Sequence, residues 1–399
     1  MRLLKLKPTP CRWLCALLFS VCFMATGHGQ NASPLVIGIS AEFGLKGSHS
    51  AQAIERGARL AIDEINQGGG VLGGRKLVLE TRDDLSLPAR SVANVRQFAA
   101  NPDVLAVFCG RYSSAAADLV PLVNREGLLL LNPWAAADAI ANNGATPNYV
   151  FRLSMTDSGA LGLMTRHANA RKFKRVGLLL PNNAWGRSSL AAFLAAAARY
   201  PGMQHTPLWY NFGDQDFSDK LLMARQAGAQ AILMVANEAE GGRLVQQIAA
   251  LPEAQRLPII SHWGITGGDF PAVAGPALRS VDLVVAQTFR LHQAGHPKAA
   301  SVAKAYKALF GEDLQDLKAA AGFVHAYDLT HLLAMAIRKA GSAERAAVRG
   351  AMENLGTYAG LLRTHVRPFT PTNHDGLDQK HLVLSRFNAE GKLVAASTR

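Results

Sequence analysis

Short apolar runs, each about the length of a strand, alternate along this chain with longer stretches in which apolar residues return every three or four positions. Leu35–Ser40 (LVIGIS) reads as a buried strand and Ala41–Ser50 as the loop after it. Ala53–Asn66 then places Ile54, Ala58, Ala61, Ile62 and Ile65 on one helical face. Arg75–Asp84 alternates as a strand, and Pro88–Ala100 is helical. Val104–Cys109 (VLAVFC) and Leu128–Leu131 are two further buried strands, and Asn148–Leu153 is another. A crossover at Ser154–Ser158 restarts the rhythm. Strands at Arg175–Leu180, Leu208–Phe212, Ala231–Ala236 and Pro258–Ser261 are interleaved with helices, among them Asp219–Ala227 and Gly242–Leu251. Asp282–Phe289 reads as a second crossover. Helices follow at Lys298–Phe310, Asp316–Lys339 and Ala343–Leu355, then a last strand at Lys380–Phe387 and a turn at Asn388–Lys392. That last strand is far from any sequence neighbour, so it is expected to pair back onto one half of the molecule and make a third crossing. Strand–helix alternation repeated twice predicts α/β architecture with two Rossmann-like parallel sheets.

Ligands of open parallel sheets sit beyond the carboxyl ends of the strands. The loops at those ends are therefore the candidate site. After Val104–Cys109 come Gly110 and Arg111-Tyr112-Ser113-Ser114; after Leu128–Leu131 come Asn132-Pro133 and Trp134-Ala135-Ala136. Arg175–Leu180 delivers Pro181–Trp185, Ala231–Ala236 delivers Asn237 and Glu238, and Pro258–Ser261 delivers His262 and Trp263. The hydroxyls of Ser113 and Ser114 can cap the helix that follows or help offer its amides to an anionic group. Trp134, Trp185 and Trp263 can pack in the core or face a cleft. Arg111 can clamp a carboxylate with its guanidinium fork or be a solvated loop charge. The glycine cluster Gly68–Gly74 follows a helix and precedes a strand, the reverse of a phosphate-cradling loop, and reads as a turn.

Composition narrows the picture. The formal net charge is +13, with the basic residues scattered and no clustered stripe of the kind nucleic acid requires. Arg2, Lys5, Lys7 and Arg12 precede the apolar run Trp13–Ala25, and small residues follow. This run is short for a permanent membrane span, and residues 1–30 read as a cleaved signal peptide. Export to the periplasm is the expectation. About 370 residues then remain, more than one core usually holds. Cys11, Cys15 and Cys22 fall in the leader, so Cys109 stays alone, as a buried inert thiol without a disulfide partner. No predicted helix carries a His-x-x-x-His or His-Glu-x-x-His spacing, and no Gly-x-Ser-x-Gly elbow is present. Neither a resident metal or cofactor nor an enzymatic activity is expected.

The segments RGARLAIDEINQGGGVLGGRKLVLETRDD, FCGRYSSAAADLVPLVNREG, FRLSMTDS, PNNAWGRSSL and AYDLTHLLAMAI, in this order and spacing, resemble the type I periplasmic solute-binding proteins of branched-chain amino acid ABC transporters, the Leu/Ile/Val-binding family. The resemblance implies two lobes on a three-crossing hinge, residues 34–153 with 288–370 and residues 154–287 with 371–399. It also implies a small ligand trapped between them, delivery to an ABC permease in the inner membrane, and a monomer. By the family pattern, Ser114 with Ser113 beside it meets the ligand's carboxylate, and the Trp134–Ala136 loop supplies a backbone contact. A threonine hydroxyl expected there falls on Ala136. A tyrosine of the second lobe falls on Trp185, a first-loop tyrosine falls near Ser50, and the acid that would meet an α-ammonium falls near Trp263. Glu238 or Asp157 could replace that acid. These departures, with three tryptophans at cleft positions, point away from aliphatic amino acids and toward a flat, aromatic or cationic ligand. A periplasmic sensing module that signals to a membrane receptor or kinase shares the same fold and stays open as the second reading.

Overall fold

The computed structural model describes Met1 and residues 33–290 and 298–396; the expected signal peptide otherwise lies outside them. The first sheet is built from β1 (Leu35–Ala41), β2 (Leu77–Asp83), β3 (Val104–Cys109), β4 (Leu129–Asn132) and β5 (Val150–Arg152). Between them run α1 (Ser50–Gln67), α2 (Pro88–Ala99) and α3 (Ser113–Glu126). Its strands are all parallel, in the order β2-β1-β3-β4-β5. β3 is buried at every position, which is why it reads as a continuous apolar run rather than an alternation. Burial also pushes the Cys109 thiol well above its ordinary value, so it stays protonated.

The chain leaves this sheet after β5 through α4 (Asp157–Ala170). It then builds β6 (Arg175–Pro181), α5 (Ala184–Ala197), β7 (Gln204–Tyr210), α6 (Ser218–Gln226), β8 (Ala231–Met234), α7 (Glu238–Ala250), β9 (Ile259–Ser261), α8 (Phe270–Ala274) and β10 (Leu283–Gln287). It returns to the first lobe with α9 (Ala299–Phe310), α10 (Ala320–Ala340), α11 (Arg345–Met352) and a small hairpin of β11 (Thr357–Ala359) and β12 (Thr364–Val366). It crosses again to add β13 (Val383–Phe387) and β14 (Leu393–Ala395). The second sheet runs β14-β13-β10-β9-β8-β6-β7, parallel from β10 to β7, with β13 antiparallel to β10 and β14 to β13. The tail strand thus pairs where the sequence leaves it free to pair, and the turn at Asn388–Lys392 closes its hairpin.

Two crossings are tied to each other. Arg152 N–H donates to His374 O and Gly376 N–H to Arg152 O, and the Arg152 guanidinium holds Asp375 through Nε at 2.5 Å and Nη2 at 3.1 Å. The third is linked through His325 on α10. Its Nδ1 can only donate to the Pro133 carbonyl at 2.8 Å, so its Nε2 accepts from Thr288 Oγ1 at 2.9 Å. Burial holds this imidazole down at about 4, and it is neutral near pH 7.

Three apolar clusters result. One fills the α2–α3 face of the first sheet and one the outer face of the second. The largest runs from α1 and α10 through Trp134, Trp185 and Trp263 into β6, β8 and β9, so it is continuous across both lobes.

Some elements begin elsewhere than the sequence pattern suggests. Ser50 opens α1 instead of closing a loop, α7 starts at Glu238 rather than Gly242, and α10 starts at Ala320. β11, β12 and β14 are three-residue strands with too few positions to show a period.

Candidate functional site

In both sheets the strand order reverses, between β1 and β3 in the first and between β6 and β8 in the second. At such a switch point adjacent strand-end loops turn to opposite faces and leave a crevice. The two crevices face each other. Their loops line a cavity of about 20 Å³, bounded by Arg111, Tyr112, Ser113 and Ser114 from the β3–α3 side, Trp134 and Ala136 after β4, and Asn183, Trp185, Phe212, Asn237, Trp263 and Gly264 from the second lobe. That is room for about one water molecule. The lobes are therefore closed on one another.

Trp134 and Trp263 meet across the lobes as a stacked pair, centroids 4.9 Å apart and planes 29° from parallel. The Trp134 loop is fixed by Asn132, whose Oδ1 accepts from Trp134 N–H at 3.1 Å and whose Nδ2 donates to Ala135 O at 2.8 Å. A side chain on Gly322 of α10 would crowd the Trp134 ring, so its absence makes the seat for the indole. Trp185 is held by its indole N–H, which donates to Asp157 Oδ1 at 3.0 Å; Ser189 Oγ donates to the same oxygen at 3.1 Å. His262 Nε2 lies 3.2 Å from it but out of line for a hydrogen bond. Asp157 N–H in turn donates to Ala136 O across the lobes at 2.8 Å.

The helices that open onto the cavity differ in their ends. α5 is capped, with Asn183 Oδ1 accepting from the N–H groups of Trp185 and Gly186. α3 and α7, whose N-cap residues are Tyr112 and Asn237, have no side-chain cap. Capping is thus not what Ser113 and Ser114 do: both lie inside α3, and Ser113 Oγ accepts from Ala137 N–H of the next loop at 3.3 Å. The opening amides of α3 sit beside a cavity with the helix dipole behind them, a setting that favours a negative group.

Arg111 departs from both of its sequence readings. It is neither a solvated loop charge nor a free clamp: with 6% of its surface exposed it donates to Glu238 through Nη1 at 2.6 Å and Nη2 at 2.9 Å. Burial disfavours its charge, but Tyr112, Glu238 and Glu42 more than reverse this and hold the guanidinium above its ordinary value. Tyr112, raised to about 12 chiefly by burial, stays a neutral phenol and accepts from Arg111 Nη2 at 3.0 Å. Glu238 serves Arg111 with both carboxylate oxygens in this state, so its charge is already matched.

Three sequence candidates stand off the cavity: Glu238, which lies behind Arg111, and Ala135 and Ser50. Ala135 is buried behind the loop with its carbonyl turned to Asn132. Ser50 is buried at the start of α1, donating to Glu42 Oε1 at 2.5 Å. Asp157 likewise lies behind Trp185 rather than on the lining. Ser113, Ser114, Arg111, Tyr112, Trp134, Ala136, Trp185, Asn237 and Trp263 are brought together. Sequence reasoning missed Asn183, Phe212 and Gly264. Asn183 was detectable as the Asn just ahead of the helix that opens at Ala184, where it can cap; Phe212 is the last residue of the strand expected at Leu208–Phe212 and lies two positions past the end of β7.

A family model described as periplasmic binding protein matches residues 34–383. The chain belongs to the periplasmic binding protein family. Within it, the chain is similar to proteins named for Leu/Ile/Val binding. It is 26% identical to the Leu/Ile/Val-binding protein BraC3 of Rhizobium johnstonii over 383 residues, 95% of this chain and 97% of the relative. Its fold superposes on a type 1 periplasmic binding protein from Bordetella pertussis with a TM-score of 0.81 at 23% identity, covering 91% of this chain and 100% of that one. A solute-binding protein of an ABC transporter from Rhodopseudomonas palustris, solved with 3,4-dihydroxybenzoic acid, gives a TM-score of 0.72 at 19% identity over 90% and 95% of the two chains.

Proposed function

We propose that this chain is the exported substrate-binding component of an ABC importer. It works in the periplasm as a monomer, trapping a small planar organic ligand between lobes made of residues 34–153 with 288–370 and 154–287 with 371–399. The closed form then docks on a permease in the inner membrane. The observation that carries this reading is the stacked Trp134–Trp263 pair at the meeting of two switch-point crevices. A third ring needs about 3.5–4.0 Å on each of its faces, so a ligand cannot slide between indoles whose centroids are 4.9 Å apart. Opening about the hinge separates them, a flat ligand lies on one, and closure brings the other down on it. Differential contact of this kind is what lets a ligand shift the open–closed equilibrium. Beside the rings, Ser114 and the uncapped amides of α3 suit a carboxylate or amide oxygen.

A thermal-shift panel on the purified protein tests this, using aliphatic amino acids, aromatic acids, amides and quaternary amines. Aromatic acids or amides are expected to raise the melting temperature most. Stabilisation confined to leucine, isoleucine and valine would overturn the planar-ligand reading and leave the usual ligands of the Leu/Ile/Val type.

A further inference from the structure

A buried charge cluster spans the two lobes. Glu42 follows β1, Arg111 follows β3 and Glu238 opens α7 of the second lobe; their side chains are 1%, 2% and 9% exposed. Arg111 gives both terminal nitrogens to Glu238. Its Nε has no hydrogen-bond partner and faces Glu42 Oε1 at 3.9 Å. Glu42 is held in turn by the hydroxyls of Ser48 at 3.3 Å and Ser50 at 2.5 Å. The second lobe is shaped around the cluster. A Cβ on Gly267 would overlap the Arg111 guanidinium and one on Gly268 would overlap the Glu238 carboxylate. The same two glycines meet the first lobe directly, Gly267 O accepting from His49 N–H at 2.9 Å and Gly268 bridging to Ser48.

This arrangement has two stable partners for one cation. Opening the lobes carries Glu238 away, while Arg111 and Glu42 stay together on the first sheet with Nε already turned to the remaining carboxylate. Charges buried in a closed interface attract strongly only when fully paired, and the bidentate bridge provides that pairing without a ligand. We propose that Glu42, Arg111 and Glu238 form a closure latch: the charge contact that draws the lobes together is made by the protein's own side chains, and the ligand of the cleft carries no ammonium group. The second half rests on the planar-ligand reading above. Arg111 is the only charged residue among those lining the cavity, and Glu238 already neutralises it, so the lining offers an ammonium no anion.

Small-angle scattering and near-ultraviolet circular dichroism of the ligand-free chain test the latch, the second reporting the coupled Trp134–Trp263 pair. Wild type is expected to be compact with a strong indole signal. Glu238→Gln removes the charge and should enlarge the radius of gyration and flatten the indole signal; Gly268→Ala, whose Cβ would overlap both the Glu238 carboxylate and the Gly47 carbonyl of the first lobe, wedges the interface and supplies the opened reference. Glu240→Gln, two residues along α7 and bonded to Gly213 N–H within the second lobe, should scatter as wild type. If Glu238→Gln stays as compact as wild type, the latch is wrong. For the ligand, amino acids are compared with their des-amino counterparts, such as phenylalanine with 3-phenylpropanoate, by calorimetry. The des-amino compound should bind at least about tenfold tighter, and the reverse order overturns the specificity claim. Silence from every pair counts against the planar-ligand reading, and the scattering result still decides the latch.

Discussion

The first lobe meets the cleft with a helix whose opening amides no side chain caps, whereas the second lobe's α5 meets it with amides already bonded to Asn183. The contrast extends to the side chains around them. On the second lobe, Trp185 is fixed by Asp157, and Trp263, 1% exposed, is wedged among Trp134, His262 and His325. On the first lobe, carboxylates gather at strand ends: Glu42 after β1 and Asp84 after β2, the latter raised to about 6 chiefly by burial with Glu42 adding to it. Apart from the uncapped start of α7, the second half of the cleft is an assembled wall, and the first keeps unspent donors and strained charge. A trap needs both, since a rigid wall sets ligand shape while unspent polar groups give closure something to gain.

The largest effect should come from removing the wall. Trp263→Ala is expected to lose about 3–5 kcal/mol of stability in chemical denaturation, because it deletes a buried indole shared by both lobes. A loss below about 1 kcal/mol would mean the wall is not assembled in the ligand-free protein, and the contrast between halves would fail.

Next comes the strained carboxyl of the first lobe. Asp84 binds its proton more tightly folded than unfolded, about 6 against 3.8. Its favourable contribution is therefore whole below about pH 3.8 and is lost as pH rises through 6. Asp84→Asn cannot ionise. Relative to wild type it should gain about 1–3 kcal/mol on going from pH 4 to pH 7.5, at roughly 1.4 kcal/mol per unit. Parallel denaturation curves at the two pH values would sharpen the comparison if the gain appears, and identical pH dependence in both proteins would remove the strain from it.

The smallest effects separate the two serines. Ser113→Ala should cost about 0.5–1.5 kcal/mol of stability, since it leaves Ala137 N–H without its acceptor. Ser114→Ala should change stability by less than about 0.5 kcal/mol yet weaken the best ligand by about tenfold. Equal losses of stability at both positions would mark Ser114 as structural, and the first lobe's donors as already spent.

Much of this was legible in the chain itself. The runs VLAVFC and LLLL fixed the places of β3 and β4, and a strand buried on both faces leaves no other pattern. From strand ends the serine loop, the Trp134 loop and the Trp185 turn followed as site candidates. Element edges were less legible. The glycine pair Gly241–Gly242 weakens the helical pattern and leaves Glu238 reading as loop, yet the helix starts on Glu238 itself. Ser50 was counted with a loop although it is buried in the first turn of α1.

What the sequence determined alone was therefore what is written in a short-range period, the alternating strands and helices with their strand-end loops in two units, and, through the motifs it resembles, the family. What tertiary structure decided was which of those loops meet. Arg111 and Glu238 are separated by 127 positions, and nothing local in either marks the other as its partner. Trp134 and Trp263 become a pair only because two sheets reverse their strand order at facing edges. Periodicity is a property of neighbours along the chain, whereas charge pairing and ring stacking act at a few ångströms in space, and only the closed fold brings those distances about.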